Sequence, residues 1–176
     1  YMEGLSRASQ RLYLSAISSF YLYCIKRGYA YVNPCLAIKR PKVDRLEHMV
    51  VPDERQILHL INATEPLRDK LICKTLYYGA LRVEELCRLE WKSFKPREND
   101  VKVTVKGKGN KVRFVIIGKD HYDELMQLKS PDNKYVFGSN RKKPGGISVR
   151  QVERIVKRAG REAGLNINLY PHLLRH

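Results

Sequence analysis

The sequence predicts a mainly α, α+β protein in which a small antiparallel sheet interrupts a series of helices. Apolar residues recur at three- and four-residue spacing in several separate segments, which is typical of amphipathic helices. Residues 101–117 instead carry two β-rich runs on either side of the segment Gly107-Lys108-Gly109-Asn110, which indicates a hairpin. A length of 176 residues allows one full domain and part of another, and the sequence shows no internal repeat.

The first predicted helix carries apolar residues from Leu12 to Cys24, and Gly28 is expected to end it. A short apolar turn follows Asn33-Pro34. Residues 39–46 are charged, contain a proline and lack periodicity, which favours an interdomain linker. Residues 1–38 are too few for a core of their own. They either dock on the next domain or form the end of a larger helical domain, and the second interpretation is favoured.

A second domain is predicted over residues 47–176. Asp53 and Gln56 have the spacing of a capping box, which indicates a helix start. A further helix should run from about Pro66 to Tyr78, and Gly79-Ala80-Leu81 should end it and place Arg82 in the first turn of the next helix. Beyond the hairpin, the patterns predict a helix over 122–128, a strand over 135–137, a helix over 149–159 with Val152, Ile155 and Val156 inward, and a last helix after Tyr170-Pro171.

The charge of the chain favours a polyanionic partner. Its 34 Lys and Arg residues against 18 Asp and Glu give a formal net charge of +16. The excess is clustered, because residues 92–119 and residues 139–176 each contain nine basic and two acidic residues. Such blocks suit a groove that follows phosphates, although a generally basic surface and, less favourably, an anionic membrane surface are alternatives.

Cysteine usage and hydropathy favour a cytoplasmic protein. The four cysteines form no Cys-x-x-Cys pair, and three lie within apolar helical patterns, so we expect reduced thiols. The sequence contains neither an apolar run of roughly 18 residues, as a membrane span needs, nor a signal peptide at its first residues. No membrane partner is therefore expected.

Three short segments contain residues that suit phosphate chemistry. Arg82 shares a helix face with Glu85, and by itself this reads most simply as a structural ion pair. Lys108 lies at a hairpin tip whose glycines permit close approach to a phosphate, yet a solvated tip is the simpler interpretation. His172 and Arg175 are three residues apart, giving one titratable ring and one bidentate oxyanion donor, or else only a cap and a surface arginine.

Metal binding is not expected. His172 and His176 have the four-residue spacing of a zinc pair, but no acidic base follows the first histidine and the sequence suggests no third ligand.

The order of the three segments is more informative than any one of them. Gly79-Ala80-Leu81-Arg82-Val83-Glu84-Glu85-Leu86, Val105-Lys106-Gly107-Lys108-Gly109-Asn110-Lys111-Val112-Arg113 and Pro171-His172-Leu173-Leu174-Arg175-His176 follow one another along the chain. In this order the chain resembles the tyrosine recombinase, or phage integrase, family. Residues 15–42 also resemble the end of that family's core-binding domain and its linker, so the resemblance covers nearly the whole chain.

The resemblance implies a phage-integrase-like catalytic domain over residues 47–176, preceded by the end of a helical SAM-like core-binding domain. Arg82 and Arg175 would hold the scissile phosphate, and Lys108 would protonate the leaving 5′ oxygen. His172 would be a general acid or base, with Glu85 as a support behind the site. The implied partners are double-stranded DNA and other recombinase protomers on DNA, without a metal or nucleotide cofactor. The residues predicted to contact DNA are Lys106, Lys111, Arg113, Arg141, Lys142, Lys143 and Arg150.

The family attacks DNA with a tyrosine that forms a 3′-phosphotyrosine and follows the His-x-x-Arg motif by a few tens of residues. None of the eleven tyrosines here occupies that position, and Tyr170 precedes the motif. We therefore expect that residues 1–176 by themselves do not cut DNA. Two other functions are considered: a DNA-binding relative without catalysis, and a related type IB topoisomerase. Retention of Arg82, Lys108, His172 and Arg175 argues against the first, and the short hairpin against the second.

Overall fold

A computed structural model of the chain describes residues 4–42, 50–107, 109, 111–139 and 145–175. Contacts divide the chain into two units, Tyr1–Met49 and Val50–His176. None of the helices in the described part of the chain is long and apolar enough to cross a membrane.

The first unit contains one long helix and a short turn. Helix α1 spans Arg7–Lys26, and the Ser6 hydroxyl caps its start by accepting from the Ser9 amide at 3.2 Å. The helix ends just before Gly28, whose φ of +75° is readily adopted only by glycine, as the sequence predicts. A 3-10 turn follows at Pro34–Ala37, and the Asn33 side chain donates to the Ser18 hydroxyl of α1 at 3.0 Å.

The apolar stripe of α1 is largely uncovered by the described residues. Leu12 is 70% exposed and Phe20 62% exposed, whereas Leu14 and Ser18 are the buried positions of the helix. The periodicity therefore predicts the helix correctly without indicating which of its residues face the short turn.

The described residues of the second unit form five α-helices. They are α2 Glu54–Ala63, α3 Leu67–Tyr78, α4 Val83–Cys87, α5 Lys119–Met126 and α6 Val149–Glu162. The predicted capping box of α2 is confirmed, because Asp53 accepts from the Gln56 amide at 2.8 Å and Gln56 Oε1 accepts from the Asp53 amide at 3.0 Å. Helix α6 buries Val152, Ile155 and Val156, as its pattern predicts.

The sheet has three antiparallel strands in the order β1-β2-β3: β1 Phe94–Pro96, β2 Asp100–Lys106 and β3 Val112–Gly118. Strands β2 and β3 are the predicted hairpin, in which Lys106 pairs with Val112. Val101, Val103 and Val105 turn inward and are at most 3% exposed. They join the core formed by α2, α3 and α6, while the other face of the hairpin stays open.

Two predicted elements are wrong. The segment 135–137 is not a strand and holds one isolated bridge, at Tyr135. Val136 donates to the Leu89 carbonyl while Phe137 accepts from Ile147, so successive residues have different partners and no ladder forms. The predicted last helix is a 3-10 turn, Leu173–Arg175, with both leucines buried. In addition, α5 begins three residues earlier than predicted, and β1 was not predicted.

Candidate active site

Arg82 is placed by a sharp break between α3 and α4. A Cβ on Gly79 would lie 2.7 Å from the Thr75 carbonyl oxygen, so only glycine fits there. Ala80 adopts a left-handed conformation with φ +43°, which costs an L-residue roughly 1 kcal/mol. These two residues turn the chain so that Arg82 caps α4, one residue before the helical position that was predicted for it.

Glu85 connects both sides of this break. Its Oε2 accepts from the Arg82 backbone amide at 2.7 Å, and its Oε1 accepts from Arg82 Nη1 at 3.0 Å. The same Oε1 accepts from Arg113 Nη1, on strand β3, at 2.7 Å. The Glu85 side chain is 3% exposed, whereas that of Arg82 is 54% exposed. Glu85 therefore holds one end of a guanidinium whose other nitrogens reach solvent.

The electrostatics keep Glu85 ionised. Burial acts to raise the pKa of the carboxyl, but the hydrogen bonds from Arg113 and from the amide and guanidinium of Arg82 outweigh it and lower the pKa below its ordinary value. Because two guanidiniums share this one carboxylate, the cluster carries a net positive charge.

The hairpin stem packs directly against this cluster. The Gly107 amide donates to the Lys111 carbonyl at 2.7 Å and closes the stem. A Cβ on Gly107 would lie 3.2 Å from Glu85 Oε1 and 3.8 Å from Arg82 Nη1. Lys108, the predicted proton donor, lies outside the described residues, but the residue before it is in contact with the cluster.

The other predicted residues lie at the turn Leu173–Arg175, which includes Arg175 and directly follows His172. His172 is exposed, and Arg175, three residues later, is partly buried. The Arg175 amide donates to the His172 carbonyl at 3.3 Å, which fixes their spacing on the turn. Buried Leu173 and Leu174 attach the turn to the core.

A cleft of about 1120 Å³ joins these parts. Of the predicted catalytic and supporting residues, it is lined by Arg82, Glu85 and His172, and of the predicted DNA contacts by Lys106. Arg175, Lys111, Arg113 and Arg150 are described but do not line it. Arg141, Lys142 and Lys143 lie outside the described residues. The structure therefore brings the first and third motifs to one cleft beside the stem of the second.

Several cleft residues were not predicted. Arg88, Lys92, Glu84, Glu90 and Tyr135 also line the cleft. Glu90 pairs with Lys92 at 2.6 Å and with Lys134 at 3.1 Å. The hydrogen bonds from these two lysines lower the pKa of the Glu90 carboxyl. Glu84 lies within the first motif, and Arg88, Glu90 and Lys92 follow it, but no local pattern distinguishes them from ordinary surface charges. Tyr135 is brought in by its backbone bridge to Glu90.

The cleft contains side chains that suit an oxyanion. Within the part of the chain that the structure describes, no three His, Cys, Asp or Glu side chains group as metal ligands. The four cysteines are unpaired thiols. A fixed guanidinium can donate two hydrogen bonds to phosphoryl oxygens, and an imidazole can transfer a proton beside it.

The chain is similar to known recombinases along nearly its whole length. The Phage integrase family model matches residues 49–176. Tyrosine recombinase XerC of Alcanivorax borkumensis is 34% identical over 188 aligned residues, which cover 99% of this chain and 60% of that protein. The chain thus spans about three fifths of the length of such relatives.

Solved structures show the same fold. The XerH site-specific recombinase bound to difH substrate, in a pre-cleavage complex, aligns with a TM-score of 0.78 at 21% identity, covering all of this chain and 54% of that one. A lambda integrase dimer bound to a COC′ core site aligns with a TM-score of 0.74 at 20% identity, covering 96% of this chain and 64% of that one. With a family match over most of its residues, this chain belongs to the phage integrase family of tyrosine recombinases.

Proposed function

We propose that this chain forms the DNA-binding and phosphate-activating part of a site-specific DNA recombinase or integrase. The complete protein would cut and rejoin DNA strands through a 3′-phosphotyrosine. The observation that carries this proposal is the shared cleft, where a half-exposed Arg82 fixed by Glu85 lies with His172 beside the hairpin stem.

The proposed chemistry follows from the charge that develops during attack on a phosphodiester. Negative charge grows on the nonbridging oxygens, and positioned guanidiniums stabilise it without rearranging during the reaction. Arg82 supplies one guanidinium, and we assign Arg175 the second. His172 and Lys108 are assigned the proton transfers, which contribute on the order of 10² to 10⁴ in rate.

The proposed partners are double-stranded DNA and further protomers assembled on it. Lys106, Lys111 and Arg150 are exposed and suit phosphate contacts, and Arg141, Lys142 and Lys143 are assigned there from the sequence. The XerH and lambda integrase structures above contain DNA substrate or a core site, and one of them is a dimer. We place the protein in the cytoplasm, at the nucleoid, because DNA would be its substrate. Residues 1–38 are proposed to belong to a core-binding domain.

The nucleophile is proposed to lie outside residues 1–176. None of the eleven tyrosines follows the His172-x-x-Arg175 motif. A polypeptide of these residues alone is therefore expected to bind DNA without forming a covalent adduct. The named relatives are recombinases and integrases, which favours strand exchange over topoisomerase activity or binding alone.

The test uses the complete protein and a DNA site that it selects from a random-sequence duplex library. We expect a covalent protein–DNA adduct that survives denaturation. Arg175→Ala should abolish the adduct while leaving most DNA affinity intact, since many phosphate contacts share the binding energy. Lys95→Ala, which removes an exposed charge on β1, is the matched control and should form the adduct normally. Parallel loss of binding and cleavage in Arg175→Ala would show that Arg175 only contributes to the DNA footprint.

A further inference from the structure

We infer that Arg113 is a positioning residue, which sets the phosphate-binding guanidinium of Arg82 through Glu85 and does not itself contact DNA. The inference rests on the proposed function. It departs from the sequence-based expectation, in which Arg113 was one of the basic residues assigned to DNA.

The contacts of Arg113 engage both terminal nitrogens of its guanidinium. Nη1 donates to Glu85 Oε1 at 2.7 Å, and Nη2 donates to the Ala80 carbonyl oxygen at 3.1 Å. The side chain is one-third exposed, and it does not line the cleft that Arg82 and His172 share. Each terminal nitrogen therefore has one of its two N–H donors committed to the protein, which reduces the capacity of Arg113 to bind a phosphate bidentately.

These two contacts join three pieces of the chain that the fold brings together. Ala80 belongs to the strained turn before Arg82, Glu85 lies on α4, and Arg113 lies on β3 directly opposite Val105 of β2. Glu85 Oε1 accepts hydrogen bonds from both Arg113 and Arg82. A movement of either guanidinium therefore shifts the carboxylate to which the other guanidinium is bonded. Arg113 therefore couples the hairpin to the orientation of Arg82.

The hairpin stem lies against Glu85 and Arg82, so this coupling bears on the proposed reaction. Gly107 abuts both Glu85 and Arg82, with no room for a larger residue unless a neighbour shifts. The segment that follows it carries Lys108, to which proton donation is assigned. By holding the β3 side of the stem to Glu85, Arg113 fixes the distance between the base of that segment and Arg82.

The experiment compares Arg113→Met, Arg113→Lys, Glu85→Gln and the double variant Arg113→Met with Glu85→Gln in the complete protein. We expect Arg113→Met to slow covalent adduct formation on the order of 10²-fold, as misplacement of a reacting group does. Its DNA Kd should stay within about twofold, and the salt dependence of binding should be unchanged, because no phosphate contact is lost. Arg113→Lys keeps the charge and one donor, and should recover part of the rate.

The double variant distinguishes a route through Glu85 from an independent one. If Arg113 acts through Glu85, the double variant should be no slower than Glu85→Gln alone, since the shared pathway is already broken. Multiplied losses would overturn the inference. So would a weaker Kd for Arg113→Met with a salt slope reduced by about one, because that result marks a phosphate contact.

A second readout does not depend on cleavage. Hydrogen exchange at the Arg82 amide reports its bond to Glu85, and it should accelerate in Arg113→Met but not in Lys95→Met, which removes a charge elsewhere on the sheet. Unchanged exchange would overturn the inference. If the wild-type protein forms no adduct, the proposed function fails while exchange still decides the role of Arg113. If Arg113→Met does not fold, Arg113→Lys must show the faster exchange and the slower adduct formation.

Discussion

His121 should make the stability of the second unit depend on pH. The ring is 5% exposed at the start of α5, and Nε2 lies 3.0 Å from the Thr75 hydroxyl of α3. Nδ1 is 3.9 Å from Glu124 Oε2, too far for a hydrogen bond. Burial, followed by the positive charge of Lys74, lowers the pKa of His121 to about 4 against the smaller opposing effect of Glu124. The ring is therefore neutral in the fold, with Tyr78 beside it.

The magnitude follows from the difference between the folded and unfolded chains. In the unfolded chain His121 takes up its proton near pH 6.5, whereas the fold resists protonation until about pH 4. The unfolded chain binds more protons between these values, so stability is complete above pH 6.5 and falls as the pH is lowered toward 4. At about 1.4 kcal/mol per pKa unit the full effect is roughly 3 kcal/mol, of which about 2 kcal/mol lies between pH 7 and pH 4.5.

The assay is urea unfolding at these two pH values, followed by the fluorescence of Trp91. His121→Gln removes the titration and keeps a polar partner for Thr75, so it should lose about 2 kcal/mol less than the wild type on acidification. His59→Gln changes an exposed histidine of α2 and should behave like the wild type. Carboxylates titrate in all three proteins, and their contribution cancels in the comparison. Equal acid sensitivity of wild type and His121→Gln would refute the argument.

Two further substitutions, each with a control, test the packing of α3 and of the turn that follows it. Gly79→Ala would bring a Cβ to 2.7 Å from a helix carbonyl and should lower the free energy of unfolding by about 2 kcal/mol. The control Gly118→Ala places a Cβ where no atom lies within 4 Å, so it should be nearly neutral in the same thermal unfolding measurement. Asp69→Ala removes a 3% exposed carboxylate that pairs with two arginines and should lower the free energy of unfolding by about 2 kcal/mol. The exposed Glu162→Ala should lower it by less than about 0.5 kcal/mol, and equal urea midpoints for the two variants would contradict this.

Local patterns predicted most of the fold because they act within a few residues. The capping residues of α2, the proline before α3 and the alternating valines of β2 each determine a short stretch of backbone, and the structure has them as predicted. The segment 135–137 was misassigned because a short apolar run does not reveal its hydrogen-bond partners. Leu89 and Ile147, which supply them, lie 47 and 10 residues from Val136 and Phe137 respectively.

The order of the motifs predicted which residues form the candidate site, but it did not predict the contacts between them. The Arg82–Glu85 pair follows from three-residue spacing on one helix face. The sequence cannot show that Arg113 joins this pair, because the contact depends on how the hairpin packs against α4. For the same reason Arg113 was grouped with the basic residues predicted to contact DNA, whereas its guanidinium donates to Glu85 and Ala80.

We expect the segment that carries His172 and Arg175 to open more readily than the rest of the fold. The turn contacts α3 and buries Leu173 and Leu174, which are 3% and 0% exposed. This turn is a three-residue 3-10 element outside the sheet and the α-helices, and such elements can open at a lower free energy than global unfolding requires. Warming should therefore remove the histidine and the second arginine while Arg82, Glu85 and the hairpin stay folded. In the complete protein the proposed cleavage activity would then be lost at a lower temperature than the melting temperature. A ligand that holds the turn would raise the temperature of activity loss more than the melting temperature.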